Sequence, residues 1–284
     1  MITSRLLLVG PFEGARRGGD TPGGGFRTRE TGSSELVLVS QRFLAFATIW
    51  ALGSTLPGAS PRANEPVLVE LFTSEGCSSC PPADRVLARL LSAPPAGVEL
   101  IALGEHVDYW DSLGWKDRYS SPDFTQRQEA YARRLGLSGP YTPQLVVDGR
   151  IELVGSDEGA ARRAISTAAR NGGGFATARV VREDASHLYL DVSAEWAGSG
   201  AADVLVAFVE GHARSDVSRG ENAGRTLDHV AVALSLAPVG HGTGSFQGSV
   251  RVPRPGTTGA DRLVVFAQEP NGGPIRAAGT VELR

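Results

Sequence analysis

The stretch VLVELFTSEGCSSCPPAD, residues 67–84, decides the expected fold of the amino-terminal half of this chain. Five of its first six residues are apolar and predict a buried strand, and the apolar spacing after the two prolines predicts a helix that continues to Leu91. Between strand and helix lie Cys77 and Cys80, the only two cysteines in the sequence. Cysteines this close cannot staple distant segments together, so the pair indicates a redox site, half of a metal site, or a chance spacing.

The overall composition is that of a globular protein. A length of 284 residues predicts about two domains. The hydrophobic share of 41% and the charged share of 21% are ordinary for globular chains. A net charge of -3 gives no electrostatic reason to expect binding to nucleic acid or to an anionic membrane.

Residues 1–64 are expected to be a disordered leader followed by a signal peptide. Residues 1–35 are rich in glycine and arginine and show no periodicity, which is typical of disorder. Residues 41–60, QRFLAFATIWALGSTLPGAS, combine a positive charge, a short apolar stretch and small residues, which is the layout of a secretory signal peptide. A buried amino-terminal helix is the alternative. Export predicts a periplasmic or secreted protein that does not contact the membrane after cleavage.

Residues 65–171 alternate between strand and helix patterns. Apolar runs predict strands at residues 67–72, 98–103, 144–147 and 151–154, and helical spacing predicts helices at 81–91, 122–135 and 157–169. Asp148-Gly149 between the last two strands is a signal for a tight hairpin. The order β-α-β-α-β-β-α is that of the thioredoxin core, so this range is expected to form a thioredoxin-like domain.

The pattern changes to period two after a glycine-rich linker at residues 171–174. Short strands are expected at 187–194, 204–209, 230–236, 245–252 and 263–267, with glycine, proline and asparagine turns between them. About six or seven strands without a helix predict an antiparallel β-sandwich over 172–284. The expected fold class is therefore α/β, a thioredoxin-like domain followed by a β-sandwich-like domain. The oligomeric state is not predicted.

The position of the cysteines favours thiol chemistry. A helix amino terminus carries unpaired N–H groups and a partial positive charge, and both stabilise a thiolate. Cys77 is therefore expected to attack a substrate disulfide, and Cys80 to resolve the mixed disulfide. Glu75 would raise the pKa of Cys77, so the reduction potential does not follow from the sequence.

A threonine–proline pair, Thr142-Pro143, precedes the third predicted strand. Thioredoxin folds carry a cis-proline at this place, facing the cysteines. We expect a cis bond here, with Pro143 in the catalytic set beside Cys77 and Cys80; an ordinary trans turn is the alternative.

Residues 105–117, EHVDYWDSLGWKD, form a loop rich in acids and aromatics at the same edge of the predicted sheet. His106 is a candidate base, and Asp108 is a candidate partner that orients it. The candidate substrate-binding or supporting residues are Thr142, His106, Asp108 and Trp110. His106 and the two cysteines are also suitable ligands for copper or zinc. The competing interpretation is an aromatic cap whose acids, Asp117 among them, are exposed or cap turns.

Two further features of the carboxyl-terminal half have no predicted catalytic role. The other histidines, His229 among them, lack ligand spacing and are interpreted as surface or strand residues. Residues 219–227, RGENAGRTL, are interpreted as a long hairpin turn, with a binding loop as the alternative.

Four motifs together resemble one bacterial family. The motifs are FTSEGCSSCPPAD, HVDYWDSLGWKD, YTPQLVVDGR and RGENAGRTL, in that order along the chain. They are similar to the family called domain of unknown function 1223, whose members are described as secreted or periplasmic and thioredoxin-like. The resemblance covers about residues 65–284. It implies a thioredoxin-like domain with a β-rich extension, and no defined reaction.

Three functions are open at this point. The first is an exported thiol–disulfide oxidoreductase that exchanges with a protein thiol or disulfide partner through Cys77 and Cys80 and needs no cofactor. The second is a copper- or zinc-binding metallochaperone that uses the two cysteines and His106. The third is a non-catalytic binding module in which the cysteines form a static disulfide.

Overall fold

A computed structural model describes residues 64–256 and 259–283. In these residues the chain forms three α-helices and eleven strands. The helices are α1 (Pro81–Ser92), α2 (Pro122–Arg134) and α3 (Glu158–Arg170). The strands are β1 (Glu65–Thr73), β2 (Val98–His106), β3 (Gln144–Val147), β4 (Ile151–Val154), β5 (Gly174–Glu183), β6 (His187–Glu195), β7 (Ala201–Val217), β8 (Arg225–Thr243), β9 (Ser245–Pro253), β10 (Arg262–Gln268) and β11 (Ile275–Glu282).

The strands form one mixed sheet with the order β4-β3-β1-β2-β8-β7-β10-β11-β5-β6-β9. β1 and β2 are parallel, β3 runs antiparallel to β1, and β8 lies parallel beside β2. The expected fold class, a thioredoxin-like α/β domain followed by a separate β-sandwich-like domain, is therefore wrong. The element order expected over 65–170 is present, but its sheet continues into the strands of the second half. The division into domains at residues 65–171 and 172–284 stays a prediction.

The junction between β2 and β8 depends on a glycine. Gly104 on β2 pairs with Val232 on β8. A Cβ atom at position 104 would lie 3.2 Å from the carbonyl oxygen of Val230, a tight contact that would require β8 to shift slightly. Ala231 has a φ of 53°, which interrupts the extended backbone of β8 at this point. Hydrophobic periodicity does not predict this junction, because the junction involves a missing side chain and one backbone angle.

The larger hydrophobic core also joins the two halves of the chain. Leu68 of β1, Leu87 of α1 and Ile165 of α3 belong to the same buried cluster as Val264 and Phe266 of β10. Removing apolar side chains from water is the main favourable term in folding. The strands of the second half thus bury the same core as the helices of the first.

Several local predictions are confirmed. β3 and β4 have the predicted bounds, and Asp148 and Gly149 between them have φ angles of 48° and 63°, as a type I′ hairpin requires. The alternating residues Leu188, Leu190 and Val192 of β6 are all buried. β5 and β11 were not predicted, because β5 follows three glycines and β11 contains the weak strand formers Ala-Ala-Gly. The expected leader and signal peptide up to residue 63 lie outside the described residues.

A buried polar network holds α2 against the sheet. Arg127 of α2 donates from Nε to Glu70 of β1 at 2.5 Å, and from Nη1 to Gln268 of β10 at 2.9 Å. The hydroxyl of Tyr131 donates to the second oxygen of Glu70 at 2.5 Å. Gln268 in turn donates to the Tyr131 hydroxyl at 2.8 Å. This network links the first half of the chain to β10.

A second carboxyl group shares this site. Glu105 of β2 is fully buried and lies 3.4 Å from Nε of Arg127, but neither of its carboxyl oxygens has a hydrogen-bond partner. Burial, followed by the charge of Glu70, raises the pKa of Glu105 well above its usual range, although Arg127 opposes this shift. The protonated form of Glu105 is therefore favoured beside the Glu70–Arg127 pair.

Replacing Glu105 with glutamine is expected to stabilise the protein at pH 8 relative to the wild type. A carboxyl group whose pKa is raised by folding contributes its full stability below the unfolded pKa and loses it as the pH rises toward the folded pKa. Glu105→Gln should therefore be more stable than the wild type at pH 8 and differ little from it at pH 4.5. Urea unfolding at both pH values measures the difference. A gain that is equal at both pH values would contradict the raised pKa.

Candidate functional site

Cys77 and Cys80 form a disulfide at the start of α1. Cys80 is the N-cap residue of this helix, which follows β1 after a short turn. Both cysteines are 0% exposed, while Ser78 and Ser79 between them are exposed. The disulfide therefore lies just beneath a loop whose outer side chains reach solvent.

The amino terminus of α1 faces the sulfur pair. The backbone N–H groups of Ala83 and Asp84 donate to the carbonyl oxygen of Cys80, and no side chain caps the helix. Prolines occupy the first two helical positions, where an N–H group would have no intrahelical partner. The positive end of the helix dipole is thus directed toward the cysteines, which favours a thiolate when the disulfide is reduced.

Two hydroxyl groups contact the sulfur of Cys77. Thr142 donates from Oγ1 to Cys77 Sγ at 3.4 Å, and Ser79 Oγ lies 3.3 Å from the same sulfur. Trp110 donates from its indole nitrogen to Thr142 Oγ1 at 2.9 Å. The structure thus brings Cys77, Thr142 and Trp110 together, and their functional roles stay predictions.

The Thr142–Pro143 peptide bond is cis, which confirms the sequence prediction. Pro143 is buried, and its carbonyl oxygen accepts a hydrogen bond from the backbone of Gly155 at 3.0 Å. A Cβ atom at Gly155 would lie 3.4 Å from Pro143 Cβ and 2.7 Å from a methyl carbon of Leu71. Gly155 therefore gives Pro143 room to pack beside β1, while a catalytic part for Pro143 stays a prediction.

His106 has a different partner from the one expected. Its Nδ1 lies 2.6 Å from Oδ2 of Asp117, and both side chains are buried. Burial would lower the pKa of His106, but the charge and hydrogen bond of Asp117 outweigh it, and the resulting pKa lies above the usual range. Burial would raise the pKa of Asp117, yet His106 holds it below its usual range. The two side chains therefore form an ion pair. Asp108 instead accepts a hydrogen bond from Thr125 at 2.6 Å.

Asp117 connects this ion pair to the loop that carries the cysteines. Its Oδ2 accepts a hydrogen bond from the backbone N–H of Glu75 at 2.8 Å, and its Oδ1 accepts one from Tyr119 at 2.9 Å. Trp115 donates from its indole nitrogen to Glu75 Oε2 at 2.6 Å. Asp117 is buried, so it is not the exposed acid of the alternative interpretation, but it does cap a turn through the N–H of Tyr119. It also anchors the segment just before Cys77.

His229 of β8 is also part of this buried cluster. It lies within β8 and is 3% exposed, so of the two predicted alternatives it is a strand residue and not a surface residue. Its Nε2 lies 3.7 Å from Glu75, two residues before Cys77, and its Nδ1 lies 3.6 Å from Asp84, four residues after Cys80. The second half of the chain thus contributes a side chain directly behind the cysteine loop.

The cluster retains unpaired polar atoms but does not form a metal site. Glu75 Oε1, His106 Nε2 and both ring nitrogens of His229 are buried without a hydrogen-bond partner. In the part of the chain that the structure describes, no group of three or more histidine, cysteine, aspartate or glutamate side chains is arranged to hold a metal ion. Cys77, Cys80 and His106 are thus not gathered into the copper or zinc site that the second hypothesis needs.

The turn between β7 and β8, residues 218–224, reaches the outer side of the cysteine loop; we call it the hairpin tip. Its Asn222 is fully buried and donates from Nδ2 to the carbonyl oxygens of Glu75 and Cys77, both at 2.9 Å. Glu221 accepts a hydrogen bond from the backbone N–H of Ser78 at 3.0 Å. The predicted hairpin turn is confirmed, but its contact with a loop about 145 residues away carried no sequence signal.

The comparisons with known proteins identify a family and a shared fold. Residues 68–268 match the family described as protein of unknown function (DUF1223). A crystal structure of protein AGR_C_4864 from Agrobacterium tumefaciens is 28% identical, with a TM-score of 0.62, over 76% of this chain and 93% of that chain. HBP35 of Porphyromonas gingivalis is 17% identical, with a TM-score of 0.60, over 78% of this chain and 76% of that one, which is a likeness of fold alone. No curated protein sequence matches the chain.

The family match spans well over half of the sequence, so the chain belongs to the DUF1223 family. Among the described residues, no helix is long and apolar enough to cross a membrane.

Proposed function

We propose that this member of the DUF1223 family is an exported thiol–disulfide oxidoreductase whose redox pair is Cys77 and Cys80. The observation that carries the proposal is the disulfide itself, formed by the only two cysteines of the chain at the amino terminus of a helix. A three-residue separation closes only a small loop, so the bond adds little of the chain-entropy stabilisation that a structural disulfide provides. Its position at the positive end of α1 instead favours exchange chemistry.

The reaction follows from thiolate attack on a disulfide. In the reduced protein, the Cys77 thiolate attacks one sulfur of a partner disulfide, the partner S–S bond breaks, and the departing sulfur takes up a proton. Cys80 then loses its proton and attacks the Cys77 sulfur, which re-forms the internal disulfide and releases the second partner thiol. The protein dithiol is oxidised by two electrons and the partner disulfide is reduced by two. The same steps in reverse oxidise a partner dithiol.

The groups around Cys77 support a thiolate in this position. The hydroxyls of Thr142 and Ser79 already contact its sulfur and can donate hydrogen bonds to a negative charge there. Trp110 donates to Thr142 Oγ1 and so fixes the orientation of that hydroxyl. Thr142 and Trp110 are therefore assigned supporting roles.

His106 is assigned a positioning role in place of the expected general base. Its ring is buried and its Nδ1 is committed to Asp117, which in turn holds the backbone of Glu75. This chain of contacts fixes the segment that leads into Cys77. Asp108, bonded to Thr125, stabilises the same loop and is given no part in the exchange.

The proposed partner is a protein thiol or disulfide in the periplasm or outside the cell, where disulfides persist. The proposal needs no cofactor, because the two sulfurs store both electrons. Turnover of a protein disulfide by the whole chain, compared with a Cys77→Ser variant, tests the proposal. A static disulfide in a binding module is the outcome that would replace it.

A further inference from the structure

We infer that the hairpin tip is a clamp over the redox loop, with Asn222 as its central positioning residue. The biological meaning of this inference rests on the proposed function. Its physical claim is that the hairpin tip limits access to the Cys77–Cys80 disulfide. It assigns a role to residues 218–224, which the exchange chemistry itself does not use.

Asn222 joins two carbonyl groups that flank the turn into Cys77. One amide nitrogen donates to the carbonyl oxygens of Glu75 and Cys77 at 2.9 Å each, and the side-chain oxygen accepts from Arg225 at 3.1 Å. The side chain is fully buried, so water cannot replace these bonds without opening the contact. Hydrophobic and ionised acidic side chains carry no N–H donor and could not make this pair of donations.

The neighbours of Asn222 extend the clamp on both sides. Glu221 accepts the backbone N–H of Ser78, the exposed residue between the two cysteines. Gly220, with a φ of 74°, lies against the aromatic loop: a Cβ atom there would be 3.2 Å from Cβ of Trp115. The hairpin tip therefore touches the loop before Cys77, the residue after it, and the loop that supplies Trp115.

Closure of this contact has a direct consequence for thiol exchange. An attacking thiolate must reach a disulfide sulfur, yet both cysteines are 0% exposed in the oxidised protein. The loop must therefore open locally before the disulfide can react, and the bonds from Asn222 and Glu221 oppose this opening. A partner protein that displaces the hairpin tip would gain access to the sulfurs, so the clamp restricts exchange to such partners.

The test is the rate at which dithiothreitol reduces the disulfide of the full chain, followed by alkylation and mass measurement. Loss of two neutral hydrogen bonds predicts that Asn222→Ala is reduced roughly tenfold faster than the wild type or more. Asn171→Ala, at the exposed end of α3, is the matched control and should react at the wild-type rate. Low urea concentrations should leave the accelerated rate nearly unchanged, because local opening exposes little surface, whereas reduction through global unfolding would accelerate steeply.

An Asn222→Ala protein that is reduced at the wild-type rate, or only through global unfolding, would overturn the clamp. If this variant does not fold, Glu221→Ala provides the test, because Glu221 is exposed and its loss should not prevent folding. The disulfide of Glu221→Ala should be reduced about threefold faster than that of the wild type. An unchanged rate would overturn the clamp. The outcomes separate the two proposals. If the wild type shows no turnover but Asn222→Ala is reduced faster than the wild type, the clamp stands and the oxidoreductase is rejected. If the wild type shows turnover but Asn222→Ala is reduced at the wild-type rate, the oxidoreductase stands and the clamp is rejected.

Discussion

Replacing Cys77 with serine is expected to lower disulfide turnover by roughly three orders of magnitude or more, because it removes the attacking sulfur. The measurement is thiol-dependent reduction of a protein disulfide by the full chain at equal protein concentrations. Ser92→Ala, near the far end of the same helix, is the control and should keep wild-type activity. Equal turnover by wild type and Cys77→Ser would reject the proposed reaction.

Cys80→Ser is expected to fail at a different step of the same reaction. Its Cys77 thiolate can still attack, but no second sulfur is present to release the product, so a mixed disulfide should accumulate. Mass spectrometry of the protein after exposure to a disulfide substrate should show the adduct on Cys77. An adduct on Cys80 in the Cys77→Ser variant, formed equally fast, would reverse the assignment of attacking and resolving cysteines.

Replacing Arg127 with methionine is expected to produce the largest loss of stability of the substitutions considered, about 3–5 kcal/mol. The side chain of Glu70 is fully buried, and among the residues that the structure describes Arg127 is the only cation in contact with its carboxylate. Urea unfolding at neutral pH measures the loss. Arg133→Met, on the exposed side of α2, removes the same charge and should change stability by well under 1 kcal/mol.

A double substitution tests whether the loss comes from the stranded charge. Adding Glu70→Gln to the Arg127→Met protein removes that charge, so the double variant should be more stable than Arg127→Met alone. A double variant that is less stable than Arg127→Met would contradict the buried ion pair as the cause. Because Arg127 also bonds Gln268 of β10, the same experiment shows how strongly the two halves of the sheet depend on each other.

The sequence predicted the local elements around the disulfide well, because each depends on residues that are close in the chain. Periodicity places the strand before Cys77 and the helix after Cys80, and Asp148-Gly149 specifies its hairpin through backbone angles that few residues adopt. The cis bond before Pro143 followed from the order of the elements. These features need no knowledge of the distant parts of the chain.

The errors concern contacts between distant segments. The sheet continues from β2 to β8 at Gly104, where a Cβ atom would fit tightly against Val230, and no strand pattern reveals this contact. Asn222 and His229 reach the cysteine loop from a hairpin whose own sequence shows only a turn and two strands. The burial of Asp117 was not predicted, because its ion pair with His106, at the end of β2, is buried only after folding.

The most direct test of the redox assignment is the midpoint potential of the Cys77–Cys80 pair, measured by equilibration with thiol–disulfide buffers. A pair that exchanges with partner proteins should have a potential between about -270 and -120 mV, the range of known dithiol oxidoreductases. Asn222→Ala should have the same midpoint potential as the wild type. It should reach equilibrium faster, because the substitution changes only access to the disulfide. A wild-type potential below about -300 mV would mark the bond as a structural disulfide and contradict the proposed function.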